Sequence, residues 1–181
     1  MSVVAAGTPG PTPAVESATR VAVVAALSAT TMLFASLVSA YLVRRSFADW
    51  RPWPALWPAV LLAFAFAASG GIEVAARGEG KQRRRGFMGL ALASALYLAG
   101  SLAVIVSVVS GAGGLEMPFN AFVALLLSVH VLHAILGGAF AAWILRAGAG
   151  PPANALLLAR LVTHFLTALL CAIVFLLFGL Q

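Results

Sequence analysis

The chain has 181 residues, of which 62% are hydrophobic and only 9% are charged, and its formal net charge is +6. A soluble domain of ordinary composition has about 25% charged residues. This chain therefore lacks the side chains needed to cover a water-facing surface, and the composition predicts an integral membrane protein. The single cysteine, Cys171, excludes an intrachain disulfide and a cysteine-rich metal site.

The first 20 residues are rich in Pro, Gly, Ser, Thr and Ala and lack the basic start and apolar stretch of a signal peptide. We expect a flexible cytoplasmic tail over residues 1–20, followed by a transmembrane domain over residues 21–181. About 20 apolar residues cross a hydrocarbon core roughly 30 Å thick, and the charged residues divide this domain into five such segments. The predicted spans are about 21–43, 54–76, 87–109, 118–145 and 158–180.

Helices are the expected structure of these spans, because open strands cannot satisfy their backbone hydrogen bonds in lipid. The predicted fold class is all-α, a polytopic membrane helix bundle with five transmembrane helices. GAGG at 111–114 and GAGPP at 148–152 predict turns. Small residues such as AASGG at 67–71 allow neighbouring helices to approach closely.

The stretch RGEGKQRRRG at 77–86 is the most basic part of the chain. Lys and Arg are enriched in cytoplasmic loops, so this predicted loop places the N-terminus in the cytoplasm and the C-terminus outside. Binding of nucleic acid or anionic lipid is the alternative function of the loop. We favour the topology signal and expect no nucleic-acid partner. Trp50, Trp53 and Trp57 then form an aromatic cluster at the outer interface.

Ionisable side chains inside spans are costly and are candidates for function. The spans contain Glu73, His130, His133 and His164. Glu73 lies four residues before Arg77, so the two share a helix face and are expected to pair. A proton-handling or subunit-contact carboxylate is the alternative role of Glu73.

His130 and His133 are three residues apart and share a helix face. A metal site needs further ligands at suitable geometry, and the other spans offer only His164 and Glu73. A di-histidine haem or metal centre is therefore the less favoured interpretation. We expect neutral histidines that form hydrogen bonds across helices. For His164, a capping or interhelix hydrogen bond is expected.

Four segments, taken in chain order, resemble subunit III of the haem–copper oxidases, the cytochrome c oxidase and quinol oxidase family. TTMLFASLVSAYLVRR at 30–45 is similar to the family's S-E-x-M-F-F-A-G-L-F-x-A-Y span, and WRPWPAL at 50–56 to the Trp- and Pro-rich loop that follows it. The matched positions of the first segment are Met32, Phe34, Ala35, Leu37, Ala40 and Tyr41.

The other two segments lie in the fourth and fifth spans. AFVALLLSVHVLHAILGG at 121–138 resembles F-x-x-x-T-G-x-H-G-x-H-V-x-x-G, with His130, His133 and Gly137 on its histidines and glycine. RLVTHFLTALLCAIVFLLFGL at 160–180 resembles the closing W-H-F-x-D-x-x-W-x-x-x-F span through His164 and Phe165. The resemblance covers about residues 20–181.

The chain departs from the family pattern at its acidic positions. The family's carboxylate in the first of these spans falls on Thr30, the aspartate of the closing span falls on Thr167, and Val131 replaces a glycine. Many members have seven spans, and this chain matches the last five. A carboxylate-dependent role in proton delivery is therefore not transferred.

The resemblance implies a short, five-span, cofactor-free accessory subunit III of a haem–copper terminal oxidase in the bacterial cytoplasmic (inner) membrane. Such a subunit supports the stability and turnover of the oxygen-reducing, proton-pumping subunit I in aerobic respiration. Haem and copper are then expected in partner subunits I and II, none in this chain, and bound phospholipid is expected. The candidate structural or lipid- and subunit-contact residues are Glu73, Arg77, His130, His133 and His164.

Three other functions remain as alternatives. They are the accessory subunit of a nitric oxide reductase, a self-contained di-histidine haem or metal membrane protein, and a plain membrane scaffold or carrier. The lack of internal repeats and of broken charged helices counts against a carrier. The electron donor, cytochrome c or quinol, and membership of a larger respiratory supercomplex are left open by the sequence.

Overall fold

The computed structural model describes residues 13–47, 49–50, 56–111, 113–146 and 153–179. They form five α-helices, which are α1 Pro13–Arg44, α2 Trp57–Arg77, α3 Gly80–Ser110, α4 Pro118–Arg146 and α5 Ala153–Val174. A short 3₁₀ turn, Gly114–Glu116, precedes α4, and Phe175–Gly179 continues α5 as a π-helix. The described part of the chain contains no strand.

All five helices are long and apolar enough to cross a membrane. This confirms the predicted all-α bundle with five spans, while the direction of the termini stays a prediction. Large apolar side chains such as Met32, Phe66 and Met88 are exposed on the outside of the bundle. That exposure is costly in water but suits a lipid environment.

Two segments that were predicted to be non-helical are helical in part. The basic segment that was predicted as a loop is helical from Gly80, so only Gly78 and Glu79 connect α2 to α3. Lys, Gln and Arg are good helix formers, and Gly80 adopts a positive φ of 48° that favours glycine. At the other end of the chain, α1 begins at Pro13, inside the predicted tail, and residues 1–12 lie outside the described residues.

The most extensive helix packing is between α2 and α3. Two glycines make it possible, because a Cβ atom at Gly71 would lie 2.6 Å from the backbone nitrogen of Leu90 and one at Gly86 would lie 2.7 Å from the Cα of Ala75. The helices therefore touch backbone to backbone, as the small residues of AASGG predict. Helices α4 and α5 complete a four-helix bundle with α2 and α3.

Aromatic side chains fill the core at the Trp57 end, the end of the bundle at which α2 begins. Trp50 packs edge-on against Tyr41 and Phe119, with ring centroids 5.2 Å and 5.4 Å apart, and Trp57 packs against Phe178 at 5.4 Å. The predicted tryptophan cluster thus includes Trp50 and Trp57, while its third member, residue 53, lies outside the described residues.

A second core lies at the Arg77 end, the opposite end of the bundle, where α2 ends. It consists mainly of alanines with a few larger apolar side chains, and α2, α3, α4 and α5 all contribute to it. Small side chains at this end permit the close backbone approach of α2 and α3, and they leave room between the other helices.

Helix α1 packs against the bundle mainly through its second half, where the Tyr41 hydroxyl donates a 2.6 Å hydrogen bond to the carbonyl oxygen of Leu176. The hydroxyls of Thr31, Ser36 and Ser39 face outward, and each donates to a carbonyl four residues back in its own helix. Because these hydroxyls are satisfied locally, α1 can present them to lipid without an unpaired polar group.

Candidate functional site

His130, near the middle of α4, forms hydrogen bonds to two other helices. Its Nε2 lies 2.9 Å from the carbonyl oxygen of Leu166 in α5, and its Nδ1 lies 2.5 Å from the hydroxyl of Tyr97 in α3. A carbonyl only accepts, so Nε2 carries the proton and Nδ1 accepts from the Tyr97 O–H. With only 2% of the residue exposed, this Tyr97–His130 pair is a neutral link between three helices.

The Tyr97–His130 pair lies on the wall of a cavity that is partly open to the outside of the bundle. The cavity has a volume of about 310 Å³ and is bounded by α2, α3, α4 and α5, with Leu90, Gly138 and Val162 among its apolar walls. A Cβ atom at Gly138 would meet no atom within 4 Å, so this glycine leaves open space. The Tyr97 O–H and the His130 Nε2–H both donate to acceptors of the protein. The rest of the cavity wall is largely apolar.

His133 is placed differently from its neighbour. Its Nδ1 lies 2.8 Å from the carbonyl oxygen of Val129 in the same helix, and its ring meets the edge of the Phe34 ring at 6.1 Å. Among the described residues, the expected hydrogen bond across helices is therefore present for His130 and not for His133. The Phe34 ring of α1 packs against the His133 ring of α4. This contact of His133 with another helix is therefore apolar.

A second polar group lies towards the Arg77 end, where α2 meets α5. Glu73 accepts from Arg160 through two hydrogen bonds, Nε to Oε1 at 2.7 Å and Nη2 to Oε2 at 3.0 Å. His164 Nε2 lies 2.9 Å from Oε1, and Arg77 Nη2 lies 3.0 Å from Oε2. The Glu73–Arg77 pair is confirmed, and α5 adds two further donors to the same carboxylate.

This Glu73 cluster, made of Glu73, Arg77, Arg160 and His164, is only partly shielded from its surroundings. The exposed fractions of the side chains are 22% for Glu73, 36% for Arg160, 45% for His164 and 77% for Arg77. The carboxylate is thus the most enclosed member, and its partners are more exposed than it is. Such an arrangement joins α2 to α5 and neutralises an acid within a span.

A hydroxyl pair continues this contact towards the middle of the helices. The Oγ of Ser69 and the Oγ1 of Thr167 are 2.8 Å apart, and Thr167 also lies 3.3 Å from the carbonyl oxygen of Ala65. Thr167 and Thr30 are the two residues that the sequence resemblance aligns with acids of the oxidase pattern. Both are buried, and Thr30 donates to the carbonyl of Ala26 in its own helix.

Three residues of these sites, namely Tyr97, Arg160 and Ser69, were not among the candidates predicted from the sequence. Arg160 had a usable signal, because it lies four residues before His164 and therefore shares its helix face. Tyr97 and Ser69 had none, since a hydroxyl in a span is satisfied either by its own helix or by another one. The three candidate histidines do not converge, as each lies in a different contact.

The chemistry available to these groups is hydrogen bonding and ion pairing between helices. Among the described residues, no group of three or more His, Cys, Asp and Glu side chains is placed to hold a metal ion. Comparison of the chain with protein-family models, with curated proteins and with solved structures finds no match. The fold and the sites define a polytopic helical membrane protein.

Proposed function

We propose that this protein is a cofactor-free accessory subunit of a haem–copper terminal oxidase, of the subunit III type in its five-span form. The observation that carries the proposal is the order of four segments in a chain with five spans, each similar to the corresponding segment of that family. Three of the segments fall in α1, α4 and α5, and the fourth lies between α1 and α2 in the sequence. The chain holds no electron-transfer centre of its own in this proposal. It stabilises subunit I and sustains its turnover, while haem and copper belong to subunits I and II.

The geometry of the histidines supports a role in packing. Both ring nitrogens of His130 are within hydrogen-bond distance of protein atoms, and His164 contacts a carboxylate that Arg160 also binds. An imidazole that ligates iron needs one ring nitrogen free for the metal. Linking helices is therefore the function that fits His130, and His164 likewise links α5 to α2 through its Nε2 contact with Glu73.

In the proposed setting the protein lies in the bacterial cytoplasmic membrane with its N-terminus inside. The basic start of α3 is then cytoplasmic, as the positive-inside rule requires. Its partners are oxidase subunits I and II and the membrane lipids. Phospholipid is expected to bind between the helices, where the small residues leave space.

The test is purification of the tagged full-length chain from its native membrane in a mild detergent. Co-purifying chains are identified by mass spectrometry, and a reduced-minus-oxidised spectrum is recorded. We expect oxidase haem signals together with subunits I and II, and a colourless protein when the chain is expressed alone. Haem retained by the isolated chain, or a nitric oxide reductase core among its partners, would overturn the proposal.

A variant of His133 separates structural support from redox chemistry. His133→Ala removes the ring on which Phe34 packs, so we expect weaker retention of the chain in the purified complex. The haem spectrum of the complex that remains should be unchanged. Ser36→Ala, which alters an outward hydroxyl on α1, is the matched control and should be retained like the unmodified chain.

A further inference from the structure

The cavity beside the Tyr97–His130 pair has room for a molecule of two aromatic rings. Its volume is about 310 Å³. An apolar protein cavity of about 150 Å³ stays dry and binds one benzene molecule, so this cavity holds about two such rings. Apolar walls with a small number of polar groups are typical of small-molecule sites. The cavity therefore has the size and the lining of a ligand site.

The wall of this cavity carries no charged side chain among the described residues. Alanine, leucine and glycine make up most of it, and His130 is neutral because its Nδ1 accepts from Tyr97 while its Nε2 donates to the carbonyl of Leu166. Removing a charged group from water without giving it a partner costs far more than removing an apolar one. A ligand of this cavity is therefore uncharged.

Ser94 is the polar side chain of the wall that the protein leaves unused. Thr163 and Thr167 each donate to a backbone carbonyl four residues back in α5, and Tyr97 donates to His130. Among the described residues, the Ser94 hydroxyl has no hydrogen-bond partner, although Ser94 lines the same cavity. A polar group at membrane depth has no water from the hydrocarbon to pair with. The Ser94 O–H is therefore available to an acceptor atom of a ligand.

The cavity opens between α3 and α4. The exposed members of its wall are Ala91 and Ala95 of α3 and Gly138 and Ala142 of α4. These small residues leave a gap, and a Cβ atom at Gly138 would meet nothing within 4 Å. Both helices are apolar enough to span a membrane along this stretch. A ligand therefore enters from the hydrocarbon and not from water, which again requires an uncharged, membrane-soluble molecule.

We propose that this cavity binds one uncharged aromatic ketone of about two rings. Its carbonyl oxygen accepts the Ser94 O–H, and its rings lie against apolar wall residues such as Leu90 and Leu166. A lipid acyl chain could reach the opening, but it has no acceptor and would leave the Ser94 hydroxyl unpaired. The site is built from α2 to α5 of this chain alone, so it does not depend on which complex the chain joins.

The probe is benzophenone, which has two rings and one carbonyl and attaches to nearby C–H groups when it is irradiated. The full-length protein is reconstituted in phosphatidylcholine vesicles and irradiated with benzophenone, and the labelled residues are located by peptide mass spectrometry. Benzophenone dissolved in the lipid also labels the outside of the bundle, where Leu33 and Leu132 are exposed. We expect Leu90 and Leu166 of the cavity wall to be labelled several-fold more strongly than these two outer leucines.

Two variants separate the hydrogen bond from the space. Ser94→Ala should lower labelling of the wall by about fivefold, the effect of one hydrogen bond. Gly138→Leu should abolish it, because the new side chain occupies the opening. The matched controls are Ser36→Ala, at an outward hydroxyl of α1, and Gly89→Leu, at an α3 glycine that has open space and lies outside the cavity wall. Both controls should be labelled like the unmodified chain.

Competition tests the chemical class of the ligand. An excess of 2-acetylnaphthalene should suppress labelling of the wall, and 2-isopropylnaphthalene, which lacks the carbonyl oxygen, should do so about fivefold less effectively. Equal competition by the two compounds, or labelling that Gly138→Leu abolishes and Ser94→Ala leaves unchanged, would overturn the ketone assignment. Labelling of the wall no stronger than that of the outer leucines would refute the site. Because the experiment uses the chain alone, its outcome is independent of whether oxidase subunits co-purify.

Discussion

Removal of the Tyr97 hydroxyl should destabilise the bundle by a measurable amount, since it leaves the buried Nδ1 of His130 without its hydrogen-bond donor. Tyr97→Phe keeps the ring and deletes only the O–H that His130 Nδ1 accepts. An unsatisfied buried acceptor costs about 1–3 kcal/mol in soluble proteins. Interhelix hydrogen bonds in membrane proteins average about 0.6 kcal/mol and reach about 1.7 kcal/mol.

The burial of His130 decides between these two ranges. Only 2% of the residue is exposed, and its second nitrogen is already committed to the Leu166 carbonyl. Because burial limits the access of other partners to Nδ1, we expect a coupling energy near the upper limit for membrane proteins, about 1.5 kcal/mol.

A double-mutant cycle measures this coupling. The free energy of unfolding is determined in mixed micelles for the unmodified protein, Tyr97→Phe, His130→Leu and the double variant. The loss of the Leu166 hydrogen bond is common to both variants that lack His130, so it cancels in the cycle. A coupling energy below about 0.5 kcal/mol, within the usual error of additivity, would refute the hydrogen bond as an energetic link between α3 and α4.

Two further variants test the contacts of α2 by the same unfolding measurement. Glu73→Gln should cost about 1–2 kcal/mol, because hydrogen bonds to charged groups contribute more than neutral ones but the partners are partly exposed. Glu79→Gln, on the exposed connection to α3, should change little, and an equal loss in both would contradict an ion-pair origin. Gly71→Ala should cost about 2–3 kcal/mol, because the new methyl group meets backbone that cannot move aside. Gly70→Ala has open space, so a similar loss there would rule out a steric cause.

In the candidate sites, contacts within one helix could be predicted from the sequence, whereas contacts between helices could not. The Glu73–Arg77 pair was predictable because a spacing of four residues places two side chains on one helix face whatever surrounds the helix. His164 joins the same carboxylate from 91 residues away along the chain, and no periodicity in either helix specifies that meeting. Likewise, the basic stretch at 77–86 was expected as a loop but is helical from Gly80. Its charge indicates its side of the membrane and not its backbone conformation.

The sequence by itself determined the class of protein and the number of spans, because the cost of placing charge in hydrocarbon is a property of each segment alone. It also determined which polar residues needed partners. The tertiary structure decided which residues are those partners. The backbone contact of α2 and α3 at Gly71 and Gly86 helps to set the arrangement of the helices. Packing then brings Tyr97 to His130 across 33 residues, because only shape complementarity between whole helices selects which faces meet.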